Sequence, residues 1–325
     1  MKRIRLFSRW LCRSSLLCCL FSGPVFAGDF SWNAATHQLF EADFNQDGYN
    51  DLLLQAKVAG QKHYFVAGLA DAKQRYDYAK RIELPQEITN LQWTADQVQL
   101  LPFKLQNKAG HSLLVLPKNV EKALLFAQVA GAADLQKAQQ VYDLKQHKWL
   151  KGSEGTFYYT GDFDGDGHQD LLQLDAENGT HQVILFEKNL LPKIAKKLPK
   201  TVRWGLKNNE RLIIRDFNQD GRDDVFALSR DGSQPHVLLY SDGKGGFSQE
   251  DGKFIAVNQA NLYWTDNTSG IAAVRRKSDN QTVLFRAYNS SERNKVADNC
   301  LGWVYDTQAD TAAEYCPAVN KGNST

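Results

Sequence analysis

Apolar residues in this chain fall into short runs of Val, Ile, Leu, Phe and Tyr bounded by Gly, Asn, Asp and Ser, which is strand and turn chemistry rather than helix chemistry. A 3.6-residue period is weak throughout. The two stretches that read as short helices, Ala130 to Leu144 and Ala70 to Ile82, sit where an outer hairpin would lie and are taken as decorations. The tryptophans set a longer period: Trp32, Trp93, Trp149 and Trp204 are 61, 56 and 55 residues apart, and each is followed 16 to 18 residues later by a glycine, Gly48, Gly110, Gly167 or Gly221. After each glycine an apolar run ends in an aromatic: Tyr64-Phe65, Leu124-Leu125-Phe126, Ile184-Leu185-Phe186 and Leu238-Leu239-Tyr240, with Leu284-Phe285 after a fifth glycine, Gly270.

Units of about 55 residues with several short strands fit four-stranded propeller blades better than solenoid repeats, whose periods run about 20 to 47. The expected fold is therefore all-β, a β-propeller of five four-stranded blades, or six or seven if some units have diverged past recognition. The regular tryptophans belong at equivalent core positions between blades. Trp264 and Trp303 break the period and are the candidates for a surface role. The residues after Trp303 are expected to supply a closing strand.

Three of the five units carry one carboxylate pattern between apolar runs, D-F-[DN]-x-D-G-x-x-D. Its first copy runs through Asp43, Asn45, Asp47, Gly48, Tyr49 and Asp51, its second through Asp162, Asp164, Asp166, Gly167, His168 and Asp170, and its third through Asp216, Asn218, Asp220, Gly221, Arg222 and Asp224. Calcium takes six to eight hard oxygen ligands, and alternate residues of a tight loop aim positions 1, 3 and 5 at one point, with position 9 closing the shell. Glycine at position 6 permits the turn that brings in the carbonyl of position 7, so Tyr49, His168 and Arg222 contribute backbone oxygen only. An EF-hand needs Glu at position 12, where this chain has Leu54, Gln173 and Ala227. The competing reading is that these aspartates merely cap backbone amides in turns; against it, four carboxylates in one loop, Asp162, Asp164, Asp166 and Asp170, repel one another unless a cation sits between them. The other two units lack the ligands, with Leu105, Asn107 and Ala109 before Gly110 and Thr265, Asn267 and Ser269 before Gly270, and their turns are expected to be metal-free. About three Ca2+ sites follow, structural rather than catalytic.

These loops resemble the FG-GAP/VCBS repeat family, also seen in integrin-type propellers. Asp216 to Phe247 matches a whole repeat, including the hairpin Ser241-Asp242-Gly243-Lys244-Gly245-Gly246-Phe247. The resemblance covers the second half of the chain well, the first half through one loop and the periodic landmarks, and the last 50 or so residues poorly. It implies a seven-bladed or related propeller with structural calcium.

Residues 1–27 differ from the rest: Lys2, Arg3, Arg5, Arg9 and Arg13 precede an apolar stretch from Leu16 to Phe26 that ends in Val25-Phe26-Ala27, a signal peptide cleaved after Ala27. Ser22, Gly23 and Pro24 interrupt it and leave it short of the ~20 residues of a spanning helix, so no membrane span is expected in the mature chain, 28–325. Removing the leader takes five basic and no acidic residues from the chain's 39 and 37, which leaves 34 against 37 and a net charge of −3. That balance does not suggest a nucleic-acid binder. Cys12, Cys18 and Cys19 leave with the leader, and Cys300 and Cys316 remain as an even pair expected to form a disulfide in a secreted or periplasmic protein.

Catalytic signatures are absent. His37, His63, His111, His147, His168, His181 and His236 show no ligand spacing, and no Gly-x-Ser-x-Gly elbow or P-loop occurs. The basic stretch Lys193, Lys196, Lys197, Lys200 and Arg203 reads first as solvated surface and second as an anionic-glycan contact, and Asn178, Asn267, Asn280, Asn289 and Asn323 head N-x-[ST] sequons. The favoured function is a non-enzymatic module binding a protein or glycan partner outside the cytoplasm. The alternatives are a carbohydrate-active enzyme, a polysaccharide lyase or hydrolase with its groups on scattered blade loops, and a structural subunit of a secreted assembly.

Overall fold

The computed structural model describes residues 35–70, 76–105, 109–118, 122–146, 156–175, 180–187, 190–194, 210–229, 236–255, 271–276, 278–287, 302–309 and 311–316. The fold is all-β, a β-propeller of five four-stranded antiparallel blades. The chain divides into two compact units, Met1–Glu154 with the first two blades and Gly155–Thr325 with the other three.

The first blade pairs β1 (His37–Ala42), β2 (Asp51–Ala56), β3 (His63–Val66) and β4 (Ile82–Leu84). A two-residue ribbon of β5 (Glu87–Ile88) and β6 (Leu91–Gln92) leads into the second blade, β7 (Val98–Lys104), β8 (His111–Pro117), β9 (Lys122–Phe126) and β10 (Gln140–Asp143). The third blade comprises β11 (Thr156–Gly161), β12 (Asp170–Asp175), β13 (Thr180–Phe186) and β14 (Pro192–Ile194). The fourth comprises β15 (Glu210–Arg215), β16 (Asp224–Ser229), β17 (His236–Ser241) and β18 (Phe247–Ile255), and the fifth β19 (Ile271–Arg275), β20 (Thr282–Ala287), β21 (Gly302–Asp306) and β22 (Thr311–Tyr315).

Strand periodicity explains how neighbouring blades stack. Alternate residues of a strand share a face, so Phe40, Ala42, Leu53 and Phe65 of the first blade meet Val98, Leu100, Leu113, Val115 and Phe126 of the second in one buried cluster. The same construction joins the third and fourth blades through Leu172, Leu174, Val183, Ile214, Val225 and Leu239, and the fourth and fifth through Phe226, Leu228, Ile271, Ala273, Leu284 and Tyr305. The phenylalanine at position 2 of each aspartate loop, Phe44, Phe163 or Phe217, is fully buried and lies in the cluster shared with the next blade. Burying a side chain of this size contributes roughly 1.5–3 kcal/mol.

Trp93 occupies a core position between the first two blades, as its spacing predicts; Trp32, Trp149, Trp204 and Trp264 lie outside the described residues. Three expectations need correction. The first candidate helix is not formed, since residues 130–144 make turns and then β10, where Val, Tyr and Leu pair or pack against the blade, and the described part of the second stretch, residues 70 and 76–82, holds a 3-10 turn at Tyr78–Lys80 and the start of β4. Leu284-Phe285 belongs to the second strand of its blade, where the equivalent runs of the other blades lie in the third. Residues 302–315 therefore supply the third and fourth strands of the fifth blade, and Trp303 packs part-buried against its core. The shift follows from the landmark glycine: Gly48, Gly110, Gly167 and Gly221 stand between the first and second strands of their blades, whereas Gly270 immediately precedes the first strand of the fifth, so the next apolar run after it falls one strand earlier.

Phe163 meets the ring of Phe247 edge-on with centroids 5.6 Å apart. Phe163→Ala is expected to lower unfolding free energy by about 3–5 kcal/mol, and Phe163→Leu by clearly less, measured by urea unfolding followed by far-UV circular dichroism.

Candidate functional site

Each aspartate loop leaves the first strand of its blade and returns at the head of the second, and the three copies share one hydrogen-bond plan. The position-1 carboxylate accepts from backbone N–H groups within the turn: Asp43 from Asp47 (3.1 Å) and Gly48 (3.1 Å), Asp162 from Gly165 (2.8 Å) and Gly167 (2.9 Å), Asp216 from Gln219 (2.7 Å) and Gly221 (3.1 Å). Position 3 accepts from the N–H of position 5, and position 5 from that of position 7, at 2.7–3.1 Å. The glycine at position 6 is left-handed in every copy, with φ of +91° at Gly48, +85° at Gly167 and +84° at Gly221. Position 4 is left-handed as well, at Gln46 (φ 66°), Gly165 (φ 80°) and Gln219 (φ 64°), which the sequence pattern did not reveal because glutamine stands there twice.

The three copies differ in their carboxylate count. Asp162, Asp164 and Asp166 place ligand oxygens within 4.8 Å of one another, half-buried, and form the one such cluster of three acidic or imidazole ligands among the described residues. Two oxygens on opposite sides of a calcium ion, each 2.3–2.6 Å from it, stand about this far apart. In the first and third loops Asn45 and Asn218 replace the central aspartate, and each donates its Nδ2 to the position-5 carboxylate, Asp47 or Asp220, at 2.9 Å. Of the position-7 side chains, Tyr49 is exposed, His168 is buried with Nδ1 3.1 Å from Asp166 Oδ1, and Arg222 is ion-paired to Asp220.

Position 9 is the buried member. Asp51, Asp170 and Asp224 are wholly inaccessible, and each accepts through both oxygens: Oδ2 from the phenylalanine N–H at position 2, Oδ1 from the end of the third strand at Gly68, Phe186 or Ser241, all at 2.9 Å. Burial pushes these carboxyls up, to about 6 at Asp51, about 8 at Asp170 and about 7 at Asp224, and repulsion from neighbouring loop aspartates adds to it. Asp162 is likewise raised to about 6 by burial, with Asp164 and Asp166 contributing. Carboxylates crowded and desolvated in this way favour a cation beside them, which would lower every one of these values.

Links to the next blade, not foreseen from the sequence, fix each loop from behind. Val129 N donates to Phe44 O (3.0 Å), Ser241 Oγ to Phe163 O (2.5 Å) and Gln308 Nε2 to Phe217 O (3.0 Å). These donors stand at or just beyond the end of the third strand of the following blade, Ser241 as the last residue of β17, Gln308 two residues past β21 and Val129 three past β9. Asp223 adds a two-way clasp on the second loop, its N–H donating to Asp162 O (2.7 Å) and its Oδ2 accepting from Asp162 N (2.9 Å). The donors are of different kinds, a valine N–H, a serine hydroxyl and a glutamine amide, so no repeated residue type signals them.

The fifth blade, which lacks the aspartate pattern, carries a guanidinium at the equivalent turn. Arg276 donates to Asp279, to Gln281 Oε1 (2.8 Å) and to Asp306 Oδ2 (2.9 Å), and Gln281 Nε2 reaches Asp306 Oδ1 (2.9 Å). Of the remaining predicted residues, Leu105 is buried and Ala109 lies in the short second-blade turn, whereas Asn107, Thr265, Asn267, Ser269, Gly270 and Cys300 lie outside the described residues. So do residues 1–27 and Lys196, Lys197, Lys200 and Arg203; Lys193 is in β14, and Asn280 is exposed in the fifth-blade turn. No helix among the described residues is long and apolar enough to cross a membrane.

No protein-family model matches the chain. A stretch of 89 residues is 36% identical to the T-cell immunomodulatory protein of Rattus norvegicus; it makes up 25% of this chain and 14% of that protein. Among solved structures, an Agrocybe aegerita lectin described for specific recognition of non-reducing terminal N-acetylglucosamine superposes with a TM-score of 0.58 at 12% identity. The match covers 87% of this chain and 66% of the lectin, and at that identity it speaks for the fold alone.

Asp223→Ala strips the acceptor from Asp162 N–H and is expected to cost about 1–3 kcal/mol in chelator-treated protein. Asp220→Ala, at an exposed loop position, is expected to cost under about 1 kcal/mol in the same urea titration.

Proposed function

We propose that this chain is an exported, calcium-stapled propeller of the FG-GAP/VCBS type that serves as a binding module for a protein or glycan partner. The convergence of Asp162, Asp164 and Asp166 within 4.8 Å, in a loop whose plan is repeated twice more in the chain, is the observation that carries the calcium assignment. In that assignment Asp162, Asp164, Asp166 and Asp170 hold the ion of the second loop, joined by the main chain at His168, while Asp43, Asn45, Asp47, Asp51 and Tyr49, and Asp216, Asn218, Asp220, Asp224 and Arg222, hold those of the other two. Bound calcium supplies charge neutralisation. The protein's own part is to fix the strand ends, because the position-9 carboxylate already ties the second strand to the third.

The repeated loops favour the FG-GAP/VCBS assignment, and the local similarity to the rat protein is consistent with it. A binding role is supported by the shared fold with a lectin and by loops carried on rigid blades, the usual place for recognition residues. A glycan is the partner this likeness favours, with N-acetylglucosamine termini the first chemistry to test. The leader read at 1–27 and the even pair Cys300 and Cys316 support an export reading, with the mature chain outside the cytoplasm and one disulfide.

Protein recovered from the periplasm or medium, with an intact mass that starts at Gly28 and lacks two cysteine hydrogens, is the material for the calcium test. Its melting temperature is expected to rise in calcium over EDTA, not in magnesium, and the rise to shrink in Asp164→Ala/Asp166→Ala; a ligand at 100 times its Kd adds about 2.7 kcal/mol per site. Equal melting in calcium and EDTA would reduce the loops to ordinary turns. On a glycan array in calcium buffer, retention on N-acetylglucosamine-terminated glycans is expected, and retention on none would redirect the search to proteins.

A further inference from the structure

Buried histidines recur at one register position that neither the motif pattern nor the calcium assignment uses. Counting back five residues from the residue that donates its N–H to the position-9 carboxylate, Gly68, Phe186 or Ser241, gives His63, His181 and His236. All are buried, each in the third strand of an aspartate-loop blade. The second blade has Ala123, also buried, at the corresponding place in β9, so the site accepts an apolar side chain without change of fold.

The surroundings of His63 fix its protonation state. Ala56 N–H donates to Nδ1 at 3.0 Å, so that nitrogen is the acceptor and the ring proton of the neutral form sits on Nε2. Nε2 is buried with no hydrogen-bond partner. The ring lies flat on the Trp93 indole, with centroids 4.0 Å apart and planes 21° from parallel. Trp93 in turn is tied to the first blade by Gln55 Nε2 on its carbonyl (2.8 Å) and by its own Nε1 on Pro85 O (2.7 Å), and it packs in the core shared with the second blade.

We propose that His63 is an acid-operated latch at the junction of the first two blades: neutral, it holds Trp93 in place, and protonated, it releases the junction. A second ring proton would sit on Nδ1 and point at the Ala56 N–H, setting donor against donor, and would place a full charge where Nε2–H has no acceptor. The Trp93 face offers a cation–π contact that offsets only part of this. Of the titratable groups around it, His37 on β1 repels a charged His63, its Nε2 bound to Lys62 O at 2.9 Å. Lys62 and Glu83, beside β3 and on β4, neutralise each other in an exposed 2.7 Å pair, and β2 contributes only backbone at Ala56. No carboxylate faces the ring to stabilise its charge among the described residues.

Burial, then His37, lowers the His63 value to about 4 from 6.5. The unfolded chain therefore binds the proton first as pH falls, so the stability this group contributes is whole above pH 6.5 and is lost progressively toward pH 4. Between pH 7.5 and pH 5 the unfolding constant is expected to rise about 30-fold from this residue alone. The test is urea unfolding of the mature protein and of His63→Leu at both pH values, with calcium held saturating so that the loop carboxylates stay ionised, and repeated in EDTA. The wild type is expected to lose about 30-fold more than the variant in both buffers; an equal pH response of the two proteins overturns the latch. Should the variant fold poorly, histidine ring resonances of the wild type decide the matter, a His63 value below about 5 supporting the proposal and one near 6.5 overturning it.

Discussion

A carboxylate with no access to solvent heads the second strand in three of the five blades, and each of its oxygens is held by an N–H from a different part of the chain. Asp51, Asp170 and Asp224 thereby join the start of the loop to the end of the third strand. Burying a charge is costly unless it is well bonded, and two backbone donors do not fully compensate, as the raised values at these groups show. The loop aspartates near them add repulsion, so the same feature that organises the turn also crowds negative charge there.

Blade stacking depends on this arrangement through the phenylalanine at position 2. Its N–H is held by the buried carboxylate, its ring fills the core shared with the next blade, and its carbonyl accepts from the strand end of that blade. One residue thus connects loop geometry with inter-blade packing. The fifth blade keeps the receiving end of this link, Gln308, while replacing the aspartate loop by the shorter turn around Arg276. Its guanidinium gathers Asp279, Gln281 and Asp306 around one positive charge.

Electrostatic demand differs among the loops for an identifiable reason. With Asp164 at position 3 the second loop gathers three carboxylates, whereas Asn45 and Asn218 offer an amide donor that already binds the position-5 carboxylate in the first and third. Arg222 further compensates Asp220. The second loop is the one in which negative charge is least answered by the protein itself.

Much of this was legible in the residue order. Short apolar runs between turn residues determined an all-β chain, the tryptophan and glycine spacing pointed to five blades with six or seven left open, and the aspartate pattern located the three loops and the left-handed glycine in each, because backbone geometry within a few residues sets these patterns. The tertiary structure decided what depends on distant partners: that position 9 is fully buried, that Asp162 is clasped by Asp223 61 residues away and Phe217 by Gln308 91 residues away, and that the fifth blade is offset by one strand. It also decided that histidines scattered along the sequence occupy one repeated site. Hydrogen-bond partners and burial at such separations come from how sheets pack, and the linear pattern of residue types carries no distance between strands that meet only after folding.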